Sequence, residues 1–311
     1  MNASSRSSLK RVSPNDIRIE LQSPVDHITL TAAGKIVDQV RDEGEAAIRT
    51  FAERFGERMP GDPLVLGRAE MQDALASLST QERDVLSRAG ERIRTFAQAQ
   101  RDAIRSIDVA IPGGRAGHTV EPIHNAGCYA PAGRYPLPSS VLMTAVTARV
   151  AGCNRVVVAS PGANRVALAA AAIADADEFL AVGGAHAIAA MTYGFKGFKQ
   201  CDIITGPGNK WVTAAKKYVS GVVGIDMLAG PSELLILADE SADPELIAAD
   251  LLAQAEHDTD AVPILVTTSS EIADATDDAL SKRLQALPSR ETASRALENG
   301  FTCVVESIED A

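Results

Sequence analysis

Gln254 and His257 stand three residues apart in the stretch L-I-A-A-D-L-L-A-Q-A-E-H-D-T-D (246–260). On a helix, that spacing lets an amide and an imidazole reach one point in space. Asp243 is a suitable N-cap and Pro244 suits the first helical position, so a helix is expected to begin there. Ile247, Ala248, Leu251, Leu252 and Ala255 form one apolar face, and Leu246, Ala249 and Ala253 make the opposite side mostly apolar too, which predicts a buried helix. Asp250, Gln254 and His257 share one narrow sector of it. A buried amide and imidazole aimed at one spot need a partner, which can be a metal, a substrate or a neighbouring backbone. The plainer alternative is that His257 interacts with the helix C-terminus while Gln254 bonds a loop. Spacing alone leaves both open.

A second group of residues lies in glycine-rich turns: P-A-G-R-Y-P-L-P-S-S after Ala130, G-G-A-H after Val182 and G-P-G-N-K after Thr205. Glycines let the backbone approach a ligand closely. The helix after such a turn offers free N–H groups and a positive dipole end to a phosphate or carboxylate. Neither G-x-G-x-x-G nor a Walker lysine loop is present, and tight turns need glycine in any case.

The elements that must position these residues change character along the chain. Residues 1–27 carry Pro14 and Pro24 and little periodicity, and are expected to form an arm. Residues 28–55 have helical spacing with a break at Glu43 and Gly44, and two further helices are expected between 68 and 107. These helices read as scaffold. Gly113 and Gly114 predict a hairpin turn within 111–120. From about His124 onward, short apolar runs (127–130, 155–159, 178–183, 202–205) alternate with alanine-rich helices (139–151, 165–174, 185–193, 210–220). A second series follows with strands at 233–238, 264–268 and 301–305 and helices at 244–257, 271–286 and 291–298. Such βαβ alternation implies parallel sheets covered on both faces, with ligands at the carboxyl ends of the strands. The expected fold class is α/β: two successive Rossmann-like parallel-sheet units with an N-terminal helical segment. Residues 28–124 plus 233–311 are expected to form one domain, with 125–232 inserted in it.

Composition narrows the function classes. Among 311 residues, 46% are hydrophobic and 23% charged, as in ordinary globular chains. The net charge of −11 argues against nucleic acid or an acidic membrane as partner. Four scattered cysteines with no C-x-x-C fit a reduced, cytoplasmic protein with buried thiols. No apolar run approaches a membrane span, and the first residues lack the apolar core of a secretory signal. His27 and His118 read as surface residues and His124 as a structural hydrogen-bonder. Cys128 and Cys153 read as buried thiols, and Trp211 and Tyr218 as packing residues.

Taken together, the motifs are similar to those of the histidinol dehydrogenase family. They are G-C-Y-A-P-A-G-R-Y-P-L-P-S-S-V-L-M (127–143), A-R-V-A-G-C (148–153), V-G-G-A-H-A-I-A-A (182–190), G-P-G-N-K-W-V-T-A-A-K (206–216), I-D-M-L-A-G-P-S-E (225–233) and L-L-A-Q-A-E-H-D (251–258). They occur in the family's order, and the resemblance runs from about residue 28 to the last residue. It implies zinc-dependent oxidation of L-histidinol to L-histidine with NAD+, a small-molecule alcohol as partner, and a homodimer. By motif, Tyr129, His186 and Asn209 match cofactor-binding positions and Ser232 a substrate position. Gln254 and His257 match two zinc ligands that also lie beside the substrate. An amide oxygen and a neutral imidazole suit zinc, and Asp250 on the same face would hold a ligand in orientation.

The chain also departs from the family pattern. His186 stands where the family usually has a glutamine that touches the cofactor, Ala132 replaces a glycine, and Leu228 replaces a proline. The family's Glu-His pair and its last two zinc ligands have no counterpart here, which reads as a C-terminal truncation and leaves the catalytic residues unassigned. Two other readings stay open: a related dehydrogenase acting on another alcohol such as a sulfonated diol, or a remnant that only binds dinucleotide.

Overall fold

The alternation of short apolar runs with alanine-rich helices folds into two parallel sheets. The computed structural model describes residues 8–17, 24–132, 136–229 and 232–311. In chain order the elements are β1 (Lys10–Val12), α1 (His27–Glu43), α2 (Glu45–Arg54), β2 (Val65–Leu66), α3 (Arg68–Ser77), α4 (Thr80–Asp102), β3 (Ile107–Ile111), β4 (Gly114–His118), β5 (Asn125–Tyr129), α5 (Pro138–Ala151), β6 (Arg155–Ala159), α6 (Arg165–Ile173), β7 (Glu178–Leu180), α7 (Gly184–Tyr193), β8 (Ile203–Thr205), α8 (Lys210–Val219) and β9 (Gly224–Ile225). They continue with β10 (Glu233–Ala238), α9 (Pro244–Ala255), β11 (Val262–Thr267), α10 (Ser270–Ala286), α11 (Arg290–Asn299) and β12 (Phe301–Val304). Two compact units result: Val25–Leu228, and the described residues of Met1–Pro24 with Ala229–Ala311. The α/β class with two successive parallel-sheet units is as expected.

In the unit Val25–Leu228 the strand order is β2-β7-β6-β5-β8-β9. Strands β5 to β9 are parallel, and β2 joins the edge antiparallel to β7. The chain leaves β5 toward one side through β6 and β7, then returns to its other side through β8 and β9. The winding therefore reverses between β5 and β8, and in such sheets the crevice at that point, beyond the carboxyl ends of the strands, is the ligand position. Both faces are covered. Val157 and Ala159 of β6 face a core with Val37, Ile48, Phe51, Ile188 and Val212, while Val156 and Val158 face one with Met71, Val141, Leu142 and Ala170. Each buried valine or leucine of this kind is worth about 2 kcal/mol.

These cores correct the expected domain grouping. Residues 28–124 do not join 233–311, because α1 and α2 cover one face of the 125–228 sheet and α3 covers the other. A parallel sheet needs both faces covered, and the apolar stripes of these earlier helices supply part of the cover. The hairpin expected within 111–120 forms as β3 and β4, paired from Ile107↔His118 to Ile111↔Gly114. Gly113, at φ +86, makes its two-residue turn.

In the other unit the order is β1-β12-β11-β10, all parallel. Leu251, Leu265, Leu280 and Leu297 fill the core under α9, α10 and α11, while Val266, Cys303 and Val305 form a smaller cluster with Val12 and Ile17. Part of the expected arm is therefore sheet: β1 pairs with β12, and Arg11 bonds Asp274 at 2.8 Å and Asp277 at 2.9 Å. Three residues reading K-R-V are too few to show a strand period. Among the described residues, no helix is long and apolar enough to cross a membrane.

Candidate cofactor and substrate sites

Tyr129 ends β5 at the reversal point of the six-stranded sheet. It is 3% exposed, and its phenol oxygen accepts the Gly184 N–H at 3.0 Å. Burial pushes its ionisation up to about 12, against the lowering effect of that N–H. Its carbonyl lies beneath the next turn. Gly206 has φ +123, and a Cβ built there would fall 2.0 Å from the Tyr129 oxygen. Both the left-handed backbone and the close approach require glycine. Tyr129 thus joins the turn after β7 to the turn after β8.

The turn after β8 is held from below. The Gly206 N–H donates to Asp226 at 2.8 Å, and Lys216 Nζ donates to the Gly206 carbonyl at 3.1 Å and pairs with the Asp226 carboxylate. Lys216 is buried and bridges between charged and neutral acceptors. Asn209 is exposed and caps α8, its Oδ1 accepting the Trp211 and Val212 N–H groups at 3.1 and 3.3 Å. With Oδ1 committed to the cap, the Nδ2 group is what Asn209 has left for a ligand.

His186 does not line the crevice as expected. It is 1% exposed, with its ring centroid 5.8 Å from that of Phe51 and 5.7 Å from that of Phe55. Its Nε2 lies 2.9 Å from Glu57 Oε2, and Nδ1 is buried with no hydrogen-bond partner among the described residues. The same Glu57 oxygen accepts the Gly183 N–H at 3.0 Å. His186 therefore lies behind the 183–184 turn, drawn toward a carboxylate 129 residues earlier. Tyr129 is likewise enclosed, so of the three expected cofactor residues only Asn209 presents its side chain outward.

Ser232, Gln254 and His257 belong to the other unit. Ser232, just before β10, is exposed, and its carbonyl accepts the Val262 N–H at 3.1 Å and Gln254 Nε2 at 3.0 Å. Gln254 is half-buried. Helix α9 begins after an Asp243 cap, as expected, but ends at Ala255, so His257 sits in the following turn and is exposed. The expectation of a buried helix is corrected too: Leu246 is 65% exposed, and Asp250 and Ala253 are exposed. Alanine and leucine make a helix look apolar all round, but this one buries one face against its sheet and the helices α10 and α11 and leaves the other in solvent. Because α9 runs back against the parallel strands β10 and β11, these three residues gather at the amino ends of the strands. That is the edge opposite to the one expected from the ligand rule for parallel sheets.

For a metal, the residues supply two donors, Gln254 Oε1 and a His257 ring nitrogen. Among the described residues, no group of three or more His, Cys, Asp or Glu is placed to hold a metal ion. Zinc takes four ligands in structural sites and three from the protein in catalytic ones, so this pair does not build a zinc site by itself.

The remaining expectations fall on both sides. His124 Nδ1 bonds Asn154 at 3.1 Å and exposed His118 bonds the Arg105 carbonyl at 3.1 Å. All four cysteines are free and buried, and burial pushes the Cys128 and Cys201 thiols up to about 12. Tyr218 and Trp211 are both partly in solvent, at 43% and 39% exposed, but the Tyr218 ring packs on Gly34 by one side and its hydroxyl donates to Asp38 at 2.8 Å. Ala132 pairs with Pro136, and the rest of that signature loop, 133–135, lies outside the described residues. Sequence reading passed over Glu57, Lys216 and Asp226. A glutamate after a helix carries no signal by itself, although Lys216 and Asp226 do lie inside two of the motifs.

Comparison with known proteins places these features in a family. The sequence model described as histidinol dehydrogenase matches residues 22–311. A histidinol dehydrogenase of Parasynechococcus marenigrum is 44% identical over 280 residues, covering 88% of this chain and 64% of that protein. A protein named histidinol dehydrogenase homolog 1, from Mesorhizobium japonicum, is 42% identical over 274 residues, covering 86% of this chain and 55% of that protein. The chain thus spans somewhat over half the length of these two relatives. The crystal structure of histidinol dehydrogenase from Elizabethkingia anophelis superposes with a TM-score of 0.88 at 31% identity, covering 98% of this chain and 72% of that one. With nearly its whole length matched in sequence and in backbone, the chain belongs to the histidinol dehydrogenase family.

Proposed function

We propose that the protein is an NAD-dependent alcohol dehydrogenase that oxidises L-histidinol to L-histidine in histidine biosynthesis, acting in the cytoplasm as a homodimer. Family membership over residues 22–311 carries this reading. The winding reversal between β5 and β8 supports it, because dinucleotides bind at such points. Asn209 would hold the cofactor through its outward Nδ2, with the cationic Lys210 beside it at the start of α8 favouring a pyrophosphate. Tyr129 would support the turns beneath. NAD+ supplies the hydride acceptor when bound.

Ser232, Gln254 and His257 are proposed as substrate-binding residues, with Gln254 and His257 also contributing two ligands of a zinc site. The bond from Gln254 Nε2 to the Ser232 carbonyl supports the pairing, since it leaves Oε1 as the atom open to a cation. Two such donors do not complete the site. The four free, buried thiols fit a reducing compartment.

Calorimetry of NAD+ with the wild-type protein and with Asn209→Ala tests the cofactor site. The variant is expected to bind about tenfold more weakly, the equivalent of about 1.4 kcal/mol. Equal affinity would remove Asn209 from the site. NADH formation from L-histidinol tests the substrate, and sedimentation equilibrium tests the dimer.

A further inference from the structure

The geometry points to Glu57 and His186 as positioning residues that clamp the 182–186 turn, with the Glu57 carboxylate filling the anion position at the amino end of α7 and His186 acting on the cofactor through the turn instead of touching it. This rests on the proposal that the β5/β8 crevice binds NAD+.

Three observations carry it. First, the Gly183 and Gly184 N–H groups, the first two at the amino end of α7, are already committed. Gly183 donates to Glu57 Oε2 at 3.0 Å and Gly184 donates to the Tyr129 hydroxyl at 3.0 Å. A helix amino end favours a negative group, and here a side chain of the protein provides it. Second, His186 Nε2 meets the same Glu57 oxygen at 2.9 Å, so one carboxylate ties the turn to the first turn of its own helix. Glu57 and His186 are 11% and 1% exposed at their side chains, and hydrogen bonds to an ionised carboxylate away from water are about twice as strong as neutral ones. Third, the turn has no slack. A Cβ at Gly183 would lie 2.2 Å from Pro161 Cγ and 3.0 Å from Glu57 Oε1. The rings of Phe51 and Phe55 enclose the imidazole on the α2 side.

The clamp has two consequences. With a carboxylate already at the Gly183 N–H, a phosphate is disfavoured at the amino end of α7, which points to the exposed Asn209 end of α8 as the outward-facing anchor of the pair. In addition, the turn is held by the protein's own bonds, so binding free energy is not spent on ordering it.

The test measures NAD+ affinity by calorimetry and amide hydrogen exchange across 182–186 in the wild-type protein and in Glu57→Ala, His186→Leu, His186→Gln and Asn209→Ala. All measurements are made well below the melting temperature. Glu57→Ala is expected to weaken NAD+ about tenfold, or about 1.4 kcal/mol, and to speed exchange at Gly183 and Gly184. His186→Leu is expected to have a smaller effect in the same direction. His186→Gln, which keeps a donor toward Glu57, is expected to keep both near wild-type affinity and slow exchange at Gly183; wild-type or tighter affinity with faster exchange would show a side chain that touches the cofactor directly and would overturn the indirect role. A merely structural role would lower the melting temperature of these variants and leave the affinity alone.

If Asn209→Ala weakens NAD+ while Glu57→Ala and His186→Leu do not, the positioning role is overturned and the cofactor site stands. If the wild-type protein itself binds no NAD+, the cofactor reading fails and the positioning role falls with it. Should Glu57→Ala fail to fold, Glu57→Gln decides. It keeps the shape and removes the charge, so about a threefold loss of affinity is expected from the weaker neutral bonds, with faster exchange at Gly183. No change in either would overturn the proposal.

Discussion

The turns at the carboxyl edge of the six-stranded sheet and the Ser232 corner of the four-stranded sheet differ in how much of their polar bonding is complete. Around Tyr129, the Gly183, Gly184 and Gly206 N–H groups are taken by Glu57, the phenol and Asp226, and the buried Lys216 donates to the Gly206 carbonyl. Around Ser232, one carbonyl accepts two bonds and His257 stands exposed. The first region is largely finished by the protein, and of Tyr129, His186 and Asn209 it turns only Asn209 outward. The second offers donor atoms held on one side only. Rigid support suits a cofactor that must be held in one orientation. Side chains bonded on one side retain atoms for a substrate or an ion.

Four substitutions sharpen this contrast, in order of expected effect. Gly206→Ala should be the most damaging, because it forces a Cβ to 2.0 Å from the Tyr129 oxygen at φ +123. A loss of about 3 kcal/mol or more in urea unfolding is expected from the clash and strain together. A loss under about 1 kcal/mol would mean that the turn can relax and is not rigid.

Lys216→Met comes next. It removes a donor that is 4% exposed from the Gly206 carbonyl and from Asp226, which is 30% exposed. Breaking a buried pair costs about 3–5 kcal/mol, and the partial exposure of Asp226 lowers the expectation to about 2 kcal/mol. Urea unfolding reads the loss, and NAD+ affinity should fall with it because the turn carrying Asn209 loses its support.

Gln254→Ala and His257→Ala should change stability least. The first loses one half-exposed hydrogen bond, worth about 1 kcal/mol or less. The second should stay within about 0.5 kcal/mol, as for exposed positions generally. Thermal melts check both. A loss above about 2 kcal/mol in either would show a structural role and erase the contrast. Histidinol binding should weaken in both variants although the fold persists.

Much of the architecture can be read from the residues. The R-V-V-V-A run is β6 from end to end, the Glu43/Gly44 break separates α1 from α2, and Asp243 with Pro244 opens α9. These are local effects: strand patterning, a glycine at φ +62, and a side chain that accepts a first-turn N–H. The motifs also select turns that come together, since Tyr129, Gly184, Gly206 and Asn209 lie at one edge of one sheet.

What the sequence could not supply is anything that depends on a distant partner. Helices α1 to α3 carry apolar stripes, but which sheet they cover was decided by packing, and they joined the strands that follow them directly. The all-round apolar look of α9 concealed an exposed side, because hydrophobicity along a helix does not say which face meets a sheet. His186 looked like a cofactor contact by its place in a motif. Its direction was set by Glu57, whose carboxylate offers a desolvated imidazole a charge-assisted bond that open solvent would make nearly worthless. Sequence determined which residues stand in the turns and helices. Tertiary structure determined which of them face outward, because burial and long-range hydrogen bonding exist only after the chain has closed on itself.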